Sequence, residues 1–190
     1  MYFCEFAVHG PNQAPDETIK YFENKATKGL KGQTNATYAA MIKKLDISVG
    51  KIMDKLKEKG IDKNTIVVFA SDNGGITVGK GGHDEIVTTN TPFKGQKATV
   101  YEGGIRVPMI ISYQGHIESS KNCNIPVDCN DIFPTLLELT GEPKATHPID
   151  GQSMAGLLND TFNKKNHNNS KYSVIRSRGY RNIHKKKRRI

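Results

Sequence analysis

An α/β fold, a sheet with helices on its faces, is predicted by three features of the 190-residue chain. In YAAMIKKLDISVGKIMDKLKEKG, apolar residues at 38, 41, 42, 45, 49, 52, 53 and 56 recur at the helical period. The run Thr65 to Ala70 (TIVVFA) is continuous and apolar, as in a strand covered on both faces in a parallel sheet. RVPMIISY then reads as a strand and CNDIFPTLLELTG as a helix, and strands alternating with helices build such a sheet.

Taken in order, Tyr2 to Val8 has the pattern of a short buried strand, stopped by HGPNQAP with its glycine and two prolines. Residues 16–36 are polar and punctuated by glycine, giving a short helix and a loop. The long amphipathic helix follows, and Gly60 stands where a C-terminal cap belongs. After the apolar strand the chain is Gly-rich and polar from Asp72 to Lys97. In CNDIFPTLLELTG, Asn130 or Asp131 can cap, Pro134 is tolerated in the first turn and Gly141 ends the helix. Beyond about Asn159 the sequence is rich in Asn and Lys and periodicity fades. This divides the chain into a body, 1–158, and a tail, 159–190, in which poor order is expected.

The net charge of +9 suggests nucleic acid until it is located. Residues 176–190 carry eight Lys and Arg and no acid, which leaves 20 basic against 19 acidic groups in the rest. The body is nearly neutral, so no specific nucleic-acid partner is expected. Cys4, Cys123 and Cys129 have no C-x-x-C spacing, which argues against a zinc site or a disulfide framework. Pairing of Cys123 with Cys129 and buried free thiols both stay open. No run is long enough to cross a bilayer, and MYFCEFAVHG lacks the basic n-region of a signal peptide.

The stretch VVFASDNGG raises the functional question. Open α/β sheets place ligands at the carboxyl ends of their strands, where Asp72 and Asn73 stand with oxygens suited to a hard cation such as calcium. The same residues, followed by Gly74 and Gly75, are also an ordinary turn signal. The residues alone leave both readings standing.

The wider sequence adds an ordered set of segments. From about Phe3 to Leu158 come H-x-P-x-Q-A-P, the helix with L-D-x-x-V-G, and the strand ending S-D-N-G-G. G-x-K-x-T-x-Y-E-G-G-I-R-V-P, DIFPTLLELTG and IDGQSMAGLL follow. In this order the chain resembles the sulfatase family, the formylglycine-dependent sulfate ester hydrolases of the alkaline-phosphatase-like fold. The resemblance implies an alkaline-phosphatase-like sheet with flanking helices, incomplete because the N-terminal strands and the nucleophile segment of the family are missing.

Residue by residue, the resemblance implies that Asp72 and Asn73 are calcium ligands and that Lys97 and His9 contact the sulfate ester as catalytic and substrate-binding groups. Such roles are physically coherent. Charge shifts towards the bridging oxygen as the S–O bond breaks, calcium and a lysine stabilise the non-bridging oxygens, and a histidine can donate to the leaving oxygen. Lys94 is a rival to Lys97 that fits the motif less well. Glu102 and Arg106 read as a structural ion pair, and Asp128 and Asp131 as a loop residue and a helix cap. GKGG at 79–82 lacks the spacing of a phosphate loop. His83 and Asp84 lie in a segment that is not aligned with the family pattern, and a substrate contact there stays open.

The family's C-x-P-S-R or S-x-P-S-R nucleophile segment, whose first residue becomes formylglycine, does not occur in the chain. The chain therefore reads as the C-terminal part of a sulfatase catalytic domain, inactive alone. The missing N-terminal part of the same domain is then a partner, alongside a sulfated small molecule or glycan. Family members are exported, periplasmic or lysosomal, and the chain shows no address of its own. Two other readings stand beside this one. A phosphatase or phosphonate hydrolase of the same superfamily would need a D-x-x-x-H set that does not accompany Asp72. A non-catalytic anion-binding module would rely on the basic tail.

Overall fold

The computed structural model describes residues 1–25, 33–77 and 87–159, together with the backbone of 172–177 and 180–185. Two compact units divide it: Met1–Asp62 with Ser71–Val107, and Lys63–Ala70 with Pro108–Ile190.

The first unit is built on two packed helices, α1 (Asp16–Glu23) and α2 (Ala36–Glu58). Pro15 precedes α1, and Asp16 and Glu17 in its first turn complement the positive end of the helix dipole. The Asn35 side chain caps α2 by accepting from the Tyr38 amide at 2.8 Å, and the helix starts at Ala36, two residues upstream of the predicted start. Gly60, at φ 65, lies just beyond the helix as predicted. One stripe of α2 carries the burial: Ala40 and Met41 are buried, and Tyr38, Leu45, Val49, Ile52 and Leu56 are half-buried. Ile42 and Met53, read as part of the same apolar face, are exposed. The Lys43 ammonium lies 4.1 Å from the centre of the Tyr21 ring and ties the two helices at their surface.

The expected strand over Tyr2 to Val8 does not form. This segment is irregular, the Phe6 carbonyl instead accepts from the His9 amide in a turn, and Phe3 and Phe6 are exposed. Alternating apolar residues prescribe a strand only when a neighbouring strand completes the hydrogen-bond ladder, and none among the described residues pairs with this one.

A short helix, α3 (Glu102–Ile105), completes the first unit. In the second unit β1 (Val67–Ala70) pairs with β2 (Met109–Ser112), with Val67 opposite Ser112 and Ala70 opposite Met109. The pairing is antiparallel, and β1 is half-buried to exposed along its length, which corrects the parallel, doubly covered strand of the sequence reading. An apolar run reports a preference for cover; it does not fix the direction of the neighbour.

Further along this unit, a 3-10 turn at Cys129–Asp131 leads into α4 (Ile132–Thr140). Gly141, at φ 72, ends the helix as predicted. Asp131 stands at the N-cap position, yet its carboxylate does not cap α4. It accepts from the Asp128 amide at 2.9 Å and the Gln152 amide at 2.7 Å, joining the turn to the segment before α5 (Ala155–Leu158). Thr135, 1% exposed, donates to the Asp131 carbonyl and accepts from the Met154 amide. Asp128 caps the 3-10 turn through the Asn130 amide.

Within the tail, β3 (Tyr172–Ser177) and β4 (Tyr180–Lys185) form an antiparallel hairpin where the sequence reading placed no element. Lys186 to Arg189 of the basic run, and the rest of 159–190 beyond Asn159, lie outside the described residues. So do GKGG, His83 and Asp84. All three cysteines are exposed and none is in a disulfide, so neither the pairing of Cys123 with Cys129 nor their burial is found. Among the described residues no helix is long and apolar enough to cross a membrane.

Candidate functional site

The Gly-rich segment after β1 folds into a compact knot. It begins with the Asp72-Asn73-Gly74-Gly75 stretch, opened by the Ser71 hydroxyl donating to the Asn73 carbonyl at 3.0 Å. The Asn73 amide nitrogen donates to the Gly74 carbonyl at 3.0 Å, which leaves its side-chain oxygen as the acceptor end of the amide. Two backbone bonds then join this stretch to the next loop. Gly74 donates to the Gly104 carbonyl at 2.9 Å, and Lys97 donates to the Gly75 carbonyl at 3.1 Å.

Glycine is required here for close approach. Neither Gly74 nor Gly75 adopts a positive φ, so the turn-chemistry reason given by the sequence is replaced by a packing reason. A Cβ on Gly74 would overlap the Gly103 carbonyl oxygen, and one on Gly103 would overlap the Gly95 carbonyl oxygen. Y-E-G-G thus lets three backbone segments lie against one another.

The loop that carries Lys97 is fixed from within. Thr99 donates its hydroxyl to the Gln96 carbonyl at 2.7 Å and accepts from the Gln96 amide at 3.1 Å. Ala98 is held at φ 69, a left-handed conformation that costs a non-glycine residue roughly 1–2 kcal/mol. The Gln96 side-chain oxygen accepts from both the amide and the hydroxyl of Thr77, at 2.8 and 2.5 Å. The Asn90 amide nitrogen donates to the carbonyls of Gly75 and Gly95, at 2.9 and 3.1 Å.

Asp72, Asn73 and Lys97 are therefore brought together on adjoining backbone segments, with Asp72 exposed and Asn73 and Lys97 half-buried. The Lys94 ammonium lies 4.4 Å from the centre of the Tyr101 ring, and no such ring contact is found for Lys97 among the described residues. Arg106 pairs with Glu102 at 3.3 Å and stacks on Phe93 at 4.6 Å, the structural pairing the sequence suggested. His9 is not joined to the knot by any bond found among the described residues. Its contacts are local, with Nδ1 2.8 Å from the Gly10 carbonyl and its ring 5.8 Å from that of Phe6. Because a carbonyl only accepts, Nδ1 carries the proton in this arrangement.

As a cation site, Asp72 and Asn73 supply oxygen donors of the hard type calcium prefers, but two side chains fall well short of its usual six to eight ligands. Among the described residues no three of His, Cys, Asp and Glu cluster in a way that could hold a metal. Asn90, Gln96 and Thr99 went unnoticed in the sequence. Polar residues of a Gly-rich loop look alike until their partners are known, and those of Asn90 lie up to 15 positions away.

Comparison with known proteins places this arrangement in context. The Sulfatase family model matches residues 1–142. A sulfatase of Formosa agariphila is 39% identical over 150 residues, covering 72% of this chain and 26% of the relative. The N-acetylgalactosamine-6-sulfatase of Mus musculus is 38% identical, covering 80% of this chain and 26% of that protein. The solved structure of Ps i-CgsB in complex with k-i-k-neocarrahexaose superposes with a TM-score of 0.71 at 30% identity, over 93% of this chain and 37% of its own. The chain thus spans about a quarter of the length of the curated relatives it matches.

Proposed function

Because the chain belongs to the sulfatase family, we propose that it forms part of a sulfate ester hydrolase in which Lys97 faces the sulfate and Asp72 and Asn73 contribute two of the ligands of a calcium ion. The observation that carries this reading is the bond from the Lys97 amide to the Gly75 carbonyl, which fixes the lysine beside the Asp72-Asn73 turn. Engagement of Lys94 with Tyr101 supports Lys97 as the anion-facing lysine of this loop.

In this reading the ammonium of Lys97 neutralises the non-bridging sulfate oxygens. The Asp72 carboxylate and the Asn73 side-chain oxygen would contribute ligands to a cation, which would supply Lewis-acid stabilisation of the same oxygens. His9, from the N-terminal segment, serves the leaving oxygen. With Nδ1 donating to the Gly10 carbonyl, Nε2 can give up a proton only from the doubly protonated ring. The oligosaccharide in the Ps i-CgsB complex and the sulfated amino sugar in the name of the mouse relative favour a sulfated glycan over a small aryl ester.

The body residues 1–158 act as the partial catalytic domain and 159–190 as an appendage to it. With two side-chain ligands and no C-x-P-S-R or S-x-P-S-R segment in its 190 residues, this polypeptide by itself is expected to hydrolyse aryl sulfates little or not at all. The reading is tested by thermal melting in sulfate. At about ten times its dissociation constant, sulfate should stabilise the chain by about 1.4 kcal/mol, and Lys97→Met should abolish the gain. An equal rise in the Lys97→Met chain refutes the assignment.

A further inference from the structure

We infer that Asn90 is a positioning residue that sets the distance between the Asp72-Asn73 turn and Lys97 by clamping the two loops from a third segment. The inference rests on the anion-site reading above and deepens it. One side-chain nitrogen of Asn90 donates to the Gly75 carbonyl at 2.9 Å and to the Gly95 carbonyl at 3.1 Å. Gly75 stands two residues after Asn73, and Gly95 two residues before Lys97. The clamp therefore grips each loop at the same remove from its functional side chain.

Both partners of the clamp are carbonyl oxygens, so only an NH₂ end fits between them and the orientation of the amide is unambiguous. The Gly75 oxygen receives Lys97 N–H as well, so its two lone pairs are filled by the clamp and by the lysine it positions. Asn90 is in turn anchored, since its carbonyl accepts from the Phe93 amide at 2.8 Å. A Cβ on Gly75 would stand 3.3 Å from the Asn90 side-chain oxygen, which shows how tightly the amide is seated.

Asn90→Asp is the sharpest test, because it keeps the shape and replaces the donor with a carboxylate facing two carbonyl oxygens. In the full chain, hydrogen exchange at the Lys97 amide should accelerate about tenfold or more, and affinity for inorganic sulfate should fall about tenfold, the worth of one to two hydrogen bonds. Amides of α1 and α2 should keep their protection. Lowering the pH should restore part of the loss in the variant alone, since the protonated carboxyl regains one O–H donor and its pKa is raised by the carbonyls around it.

The unaltered chain supplies a second arm in case the variant does not fold. The side-chain amide protons of Asn90 should exchange more slowly than those of exposed Asn24. Equal exchange of the two side chains, or a folded Asn90→Asp chain with unchanged Lys97 protection and sulfate affinity, overturns the clamp. A parent chain that fails to bind sulfate while its Asn90 amide is protected overturns the anion-site reading instead, and with it the role of the clamp in positioning.

Discussion

Gly74 and Gly103 lie so close that the first cannot carry a side chain without striking the carbonyl oxygen of the second. The contact joins the turn after β1 to α3, and the Gly74 amide bond to Gly104 lies beside it. Backbone packing of this kind has little room to relax, because the obstacle is main chain on both sides.

Gly74→Ala should therefore destabilise the chain by about 1–3 kcal/mol, the usual cost of forcing extra volume into a packed site. Gly50→Ala is the matched contrast. It lies within α2 with nothing within 4 Å of the added Cβ, and should stabilise by up to about 1 kcal/mol through helix propensity. Chemical denaturation of both variants decides whether the two glycines differ in sign.

Burial raises the pKa of Tyr38 above its ordinary 10.0. The folded chain thus prefers the neutral phenol more strongly than the unfolded chain does. The associated stability is whole below about pH 10 and is lost as the pH rises through the folded value. Absorbance titration of the seven tyrosines should show a late-ionising component that Tyr38→Phe removes. A late component that survives the substitution would assign it elsewhere.

In the second unit Thr135→Val keeps the side-chain shape and removes the hydroxyl. The Met154 amide then loses its acceptor and the Asp131 carbonyl loses a donor, both in a buried setting. A loss of about 1–3 kcal/mol is expected, with the Met154 amide losing protection from exchange while α2 is unaffected.

What the sequence disclosed depended on whether a feature is local. The stripe at 38, 41, 45, 49, 52 and 56 marks α2, and Gly60 and Gly141 mark the ends of α2 and α4, because helices and their caps are satisfied within a few residues. Tyr2 to Val8 misled because a strand is satisfied only by a neighbour, and β1 misled in direction because an apolar run does not specify one. At the site, the Asp72-Asn73 turn and the Glu102–Arg106 pair were readable as motifs. The Asn90 clamp was not, since its two bonds acquire meaning only once Gly75 and Gly95 are side by side.

We propose that Asp72, Asn73 and Lys97 form one anion-and-cation site. It is tested most directly by titrating the isotope-labelled chain with inorganic sulfate, in the presence of calcium, and following the backbone amides by NMR. Asn73, Gly75 and Lys97 should shift together along one binding curve, which Lys97→Met erases. Shifts confined to the basic run at 185–189, with the three amides unmoved, would contradict it.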